Sequence, residues 1–162
     1  MFEFFRRDRV VALERALAAI AAATSDYEVI AQLRASARKI TGSDRIAVLR
    51  RESDEMVALT EDGARRILHG FRIPLEGSMS ALAFTTGQPV LVHDILDDPR
   101  VPPSRYDRAE VRGFALYPIA NILILGIYWR RPCTPGVRVR SAAERLANGA
   151  AEAILRLKTV QV

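Results

Sequence analysis

The run Asn121 to Arg130, NILILGIYWR, is apolar at almost every position and follows the segment Arg112 to Ile119 with almost no chain between them. A strand wetted on one face alternates polar and apolar residues; one that does not alternate must be covered on both faces. Two strands joined by so short a link can pair only as a tight antiparallel hairpin, here predicted to turn near Ala120 and Asn121. The rest of the chain must therefore supply a layer for each side of that hairpin.

Helical patterns lie at both ends. Val10 to Ala23 carries Val10, Leu13, Leu17 and Ile20 at three- and four-residue spacing, as an amphipathic helix requires. Ser25 and Glu28 read as a capping box opening a second helix, with Val29, Leu33, Ala37 and Ile40 on one face and Gly42 as the left-handed residue that ends it. These two helices are expected to form an antiparallel pair. Ser141 and Glu144 read as another capping box, opening a last helix whose stripe is Leu146, Ala150, Ile154 and Leu157.

The centre is mixed. Arg45 to Arg51 and Met56 to Thr60 read as a hairpin across the polar turn Glu52 to Glu55, and Phe71 to Ile73 as a short strand stopped by Pro74. Glu61 to His69 fits neither helix nor strand. Ser78 to Thr86 reads as a short helix with Ser78 as N-cap and Gly87 past its end, followed by a strand, Pro89 to His93. Asp94 to Asp98 reads as a helical turn, and Pro99, Pro102 and Pro103 keep the next segment irregular. The expected fold is α+β: a central antiparallel sheet of five to six strands, with the N- and C-terminal helices on one face and short helices plus a loop on the other. A pocket is expected between that loop layer and the sheet.

A chain of 162 residues with 49% hydrophobic content suits one globular domain. Its longest apolar run, Ala16 to Ala23, is eight residues, far short of the roughly 20 needed to cross a bilayer, so no membrane insertion is expected. The opening MFEFFRRDRV lacks the pattern of a secretory leader, and a lone Cys133 permits no intrachain disulfide, which together point to a cytoplasmic location. The net charge of +5 is concentrated in one place. Arg130, Arg131, Arg138, Arg140, Arg145, Arg156 and Lys158 face only Glu144 and Glu152 beyond residue 129. Without a nucleic-acid reader motif beside that charge, nucleic acid is not the expected partner.

The residues with chemical potential each have two readings. His93 at a strand end faces a cavity or bonds a loop amide, and with His69 it lacks the companions of a metal motif, so no metal site is expected. Arg100, Arg105, Arg108 and Arg112 suit a carboxylate or phosphate, or pair with Asp94, Asp97, Asp98, Asp107 and Glu110 and tie the loop. Tyr106 lines a pocket or pins the loop to the sheet. Ser78 and Ser80 are caps first and ligand contacts second. Cys133, between Pro132 and Pro135, is a surface loop thiol or a nucleophile without assembled partners, so no enzyme is expected.

In order along the chain stand Ser78 to Ala83, Val90 to Val92, Asp94-Ile95, Asp98-Pro99-Arg100-Val101-Pro102, Tyr106, Pro118-Ile119 and Gly126-Ile127-Tyr128-Trp129. With the order of elements over Val10 to Leu157, this resembles the GAF domain, in the subgroup found ahead of bacterial HWE-type histidine kinases. That subgroup usually has Cys-Ile-Ser-Gly-Trp where this chain has Ser78-Met79-Ser80-Ala81-Leu82, and Tyr-Arg-Pro where it has Tyr106-Asp107-Arg108. No kinase region follows the last helix, so no phosphotransfer is expected of this chain.

The resemblance implies a GAF/PAS-like sensory domain at 10–158, an N-terminal extension at 1–9 and a tail at 159–162. It implies an unidentified small-molecule ligand rather than a named cofactor, with Ser78, Ser80, His93, Asp94, Arg105, Tyr106 and Arg112 as candidate contacts. The bilin-carrying relatives use a cysteine near the pocket, whereas no cysteine precedes Cys133, and the sulfoxide-reducing relatives use several. A homodimer through the terminal helices is implied, at Leu13, Leu17, Leu146, Ala150 and Ile154, together with a signalling-protein partner in a bacterial two-component system. The competing expectation is a degenerate scaffold that dimerises or binds protein and takes no ligand.

Overall fold

The computed structural model describes residues 2–66, 68–102 and 110–160, with side chains from residue 7 onward. The elements are α1 Phe2–Ala22, α2 Asp26–Thr41, β1 Arg45–Glu52, β2 Glu55–Gly63, β3 Arg72–Pro74, α3 Met79–Thr86, β4 Val90–Val92, β5 Gly113–Ile119, β6 Leu123–Trp129 and α4 Val137–Val160. The six strands form one sheet in the order β3-β2-β1-β6-β5-β4, with every neighbour antiparallel.

The predicted hairpin is β5 and β6. Ala120 and Asn121 both take positive φ, 50° and 53°, and the Ile122 amide donates to the Ile119 carbonyl at 3.1 Å. That is a turn whose twist suits antiparallel strands, made here without glycine. Strand β6 lies with β1 at the centre of the sheet, and both its faces are covered. Leu123, Leu125 and Ile127 join Ile46, Val48, Ala115, Tyr117 and Ile119 beneath the long helices. Ile124 and Tyr128 join Ala47, Leu49, Met56, Ala58, Phe114 and Leu116 on the opposite face, under α3 and the loop layer. We call these the back and front faces.

On the back, α1 and α4 run side by side in the same direction. Glu14 pairs with Arg145 at 2.9 Å, and seven to nine residues further along α1's end the Arg156 guanidinium donates to the carbonyls of Ala21 (2.9 Å) and Ala23 (3.1 Å). Leu13, Leu146, Ala150 and Ile154 are all buried inside this layer, and Leu17 packs against it. The stripe proposed for a dimer is thus turned inward within one subunit, where α1, α2 and α4 need it as core. A face for another chain has to come from outward positions such as Leu155, 53% exposed.

Four local expectations change. Helix α1 begins at Phe2, not Val10, and Val10 is exposed. Helix α4 begins at Val137, so Ser141 and Glu144 lie inside it and form no capping box; the Gly136 carbonyl accepts from the Arg140 amide instead. The earlier box holds in half: Ser25 Oγ accepts from the Glu28 amide at 3.2 Å, while the Glu28 carboxylate turns to the Thr24 amide at 2.6 Å. Strand β2 also runs on to Gly63, taking in the start of the segment that fitted neither pattern.

Candidate functional site

The front layer is built from α3, β4 and the loop that follows it. Ser78 caps α3, its Oγ accepting from the Ala81 amide at 3.1 Å and donating to the Leu75 carbonyl at 2.7 Å. Its sequence role as a cap therefore uses its hydroxyl fully. Ser80, the second residue of the helix, is 6% exposed and buried with Met79 and Ala83 in α3, which packs over β4 and β5. Among the described residues its hydroxyl has no hydrogen-bond partner, and a buried hydroxyl left unpaired is costly.

Asp94 and Arg112, both candidate ligand contacts, are brought together and bind each other. Arg112 donates from Nε to Asp94 Oδ1 at 2.9 Å and from Nη2 to Oδ2 at 2.5 Å, a bidentate pair. Asp94 also accepts from the Leu96 amide at 3.1 Å, and the Ile95 amide donates to the Arg112 carbonyl at 2.7 Å. The guanidinium, and after it the Leu96 amide, hold the Asp94 carboxyl below the usual carboxylate range. Asp98 and Arg100 repeat the device: Arg100 grips Asp98 at 3.0 and 2.7 Å and donates to the Leu91 carbonyl at 2.9 Å, tying the turn to β4.

His93 is exposed and turns away from the front core, its Nδ1 lying 2.9 Å from Thr134 Oγ1. Its carbonyl accepts from the Cys133 amide at 2.9 Å, so this histidine binds the segment after β6 and does not join Ser80 and Asp94. Arg105 and Tyr106 lie outside the described residues. Burial, and then the nearby Asp44, push the Cys133 thiol up, away from the thiolate that nucleophilic chemistry uses.

Among the described residues the front face carries a packed apolar cluster. The Phe114 and Tyr128 rings tilt at 48° with centroids 6.2 Å apart, and Met56, Leu116 and Ile124 pack around them. Gly126 makes this possible: a Cβ there would meet the Tyr128 hydroxyl and come within 2.7 Å of its Cζ, so the ring lies over the glycine backbone. A hollow of about 10 Å³ between Arg45, Val111 and Tyr128 has room for about one water.

Sequence reading missed a buried ion pair at the end of the front face. Arg45 Nη1 lies 2.6 Å from Glu61 Oε2, with side chains 6% and 2% exposed. The same Nη1 donates to the Arg65 carbonyl at 2.8 Å, and the amides of Leu68 and His69 donate to the Glu61 carboxylate at 3.1 Å. Burial pushes the Glu61 carboxyl up, but these amides and Arg45 outweigh it and the net direction is down. One carboxylate thereby fastens the segment after β2 to the sheet. Only the register of β1 on β2, with its shift between Val48 and Leu49, aligns these residues.

Residues 23–155 match the family model for the GAF domain, and the chain belongs to that family. No curated protein matches it. Among solved structures it is similar to the chromophore-binding domain of the unusual bacteriophytochrome RpBphP3 from R. palustris, at TM-score 0.75 and 20% identity, covering 99% of this chain and 64% of that one. It is similar to the free methionine-R-sulfoxide reductase from Neisseria meningitidis, solved in complex with its substrate, at TM-score 0.73 and 17% identity over 92% and 89% of the two chains. It is also similar to the GAF domain of an Acinetobacter phosphoenolpyruvate-protein phosphotransferase, at TM-score 0.72 and 12% identity over 93% and 95%. The shared fold is α+β, in this chain a curled antiparallel sheet of six strands with four helices among the described residues.

Proposed function

We propose that this chain is a non-catalytic sensory GAF domain that takes a small molecule into its front layer and passes occupancy to α1 and α4 through the shared strands. The observation that carries this is Ser80, a buried hydroxyl without a partner among the described residues, set against strands whose alternate residues reach the helices. Leu116 faces the loop layer, and its neighbour Tyr117 faces the helical layer. A molecule that displaced Leu116 would move the backbone on which α4 rests. Two similar structures, a chromophore-binding domain and a protein with bound biliverdin, support the reading that this chain takes a ligand.

The order of motifs from Ser78 to Trp129 supports the narrower reading: a cytoplasmic input domain of a bacterial two-component system, with an HWE-type histidine kinase as signalling partner, working as a homodimer. The second reading is a scaffold with no ligand, and the observation favouring it is the front core packed by Met56, Phe114 and Tyr128.

A thermal-shift screen against nucleotides, small carboxylic acids, aromatic metabolites and biliverdin separates the two. A ligand at a hundred times its Kd adds about 2.7 kcal/mol, about 5–10 °C for a chain of this size. One class should produce such a shift, and Ser80→Ala should shrink it while leaving the unliganded Tm the same or higher. A flat screen supports the scaffold.

A further inference from the structure

A groove of about 500 Å³ opens on the back layer, where the N-terminal part of α1, the end of α2 and the start of α4 converge. Its floor is apolar: Val10, Leu13, Ile40, Val137, Val139 and Ala142. Val10 and Val137 are 57% and 71% exposed, while Leu13 and Ile40 beneath them are buried. Among the described residues the groove lining contains two arginines, Arg9 and Arg138, and no carboxylate. Neither arginine has an ion-pair partner among the described residues. Arg9 lies against Gly42 at the C-terminal end of α2, where a guanidinium is held by the helix dipole.

We propose that this groove is a docking site for an amphipathic helix of another protein, one whose apolar anchors are flanked by glutamates or aspartates. The apolar floor between three helices accepts side chains at i, i+3 and i+7, and the two unpaired arginines select carboxylates beside them. A second copy of this chain is disfavoured, because a two-fold contact through the groove would set Arg9 and Arg138 against their own kind, and the chain's whole charge excess lies beyond residue 129. A flat anionic membrane would leave a concave floor of this volume unfilled.

The test uses the full chain and two fluorescein-labelled 18-residue peptides with leucine at helical spacing, one filled out with glutamate and the other with lysine, followed by fluorescence anisotropy. The glutamate peptide should bind at least tenfold more tightly than the lysine peptide. Val137→Glu, at an exposed position, should weaken it tenfold or more, as should Arg138→Glu, with circular dichroism confirming that both variants fold. Equal binding of the two peptides overturns the proposal, as does binding indifferent to both substitutions. Binding of phosphatidylserine vesicles that Val137→Glu abolishes, with no peptide bound, would assign the groove to a membrane. A concentration-dependent dimer that Val137→Glu dissolves, again with no peptide bound, would assign it to a second copy. Either overturns the proposal.

Discussion

Asp94 and Arg112 stand eighteen residues apart in the chain and hold each other by two side-chain hydrogen bonds, of 2.9 and 2.5 Å. Together they close the loop layer over β4 and β5, since Asp94 ends the strand side of the turn and Arg112 precedes β5. As a pair they are committed to each other, so a ligand in the front layer meets their outer edges and not two open charges.

This pairing sets an acid limit. The folded Asp94 carboxyl is held below its ordinary value, first by Arg112, so as pH falls the unfolded chain takes up a proton before the folded one does. The stabilisation is complete above about pH 4 and is lost as pH falls through the folded value. Asp94→Asn should lower stability at neutral pH and flatten the acid limb, measured as urea midpoints from about pH 6 to about pH 2.

The Arg45 and Glu61 pair should respond as a unit. Glu61→Leu leaves Arg45 buried without its carboxylate and also frees the Leu68 and His69 amides, at an expected cost of about 3–5 kcal/mol. Arg45→Met with Glu61→Leu should recover part of that loss. Denaturant unfolding of the single and double variants measures the coupling. Limited proteolysis within Arg65 to Gly70 should accelerate in the single variant, because that segment is tied down by the Glu61 carboxylate.

Gly126 and Tyr128 make a second coupled pair. Gly126→Ala drives a methyl group into the Tyr128 ring and should cost about 1–3 kcal/mol. In a background of Tyr128→Leu the same alanine should cost much less. Additive losses would show that the glycine serves some purpose other than seating the ring.

Tyr117 gives an alkaline counterpart on the back face. Burial pushes its phenol up to about 12, so it stays neutral in the folded state while the unfolded chain ionises near pH 10. Its contribution is therefore present below about pH 10 and lost as pH rises toward 12. Tyr117→Phe should be less sensitive over that window, read by absorbance of phenolate alongside unfolding.

Much of this was legible in the residues. The unbroken apolar run of β6 announced a strand covered on both sides, and Ser78, Gly87 and Gly42 announced helix ends that stand where expected, with φ of 63° and 67° at the two glycines. What stayed hidden depends on register or on competition between local signals. Ser141 and Glu144 satisfy the capping pattern, yet the helix continues through them to Val137, because nothing from Val137 to Arg140 breaks it. Arg45 meets Glu61 only once β1 and β2 are aligned past their irregularity. The pairing of the loop arginines with nearby acids was one of the two readings the residues offered, and Asp94 with Arg112 follows it, whereas nothing in the sequence told that His93 turns to Thr134.

The central claim is that occupancy of the front layer reaches the terminal helices. Hydrogen–deuterium exchange with and without the compound class giving the largest thermal shift tests it most directly. The account predicts slower exchange in α3 and in Asp94 to Pro102, together with a change in α4 between Val137 and Ala150. No compound shifting the Tm, or protection confined to the front layer while α1 and α4 exchange as before, would contradict it.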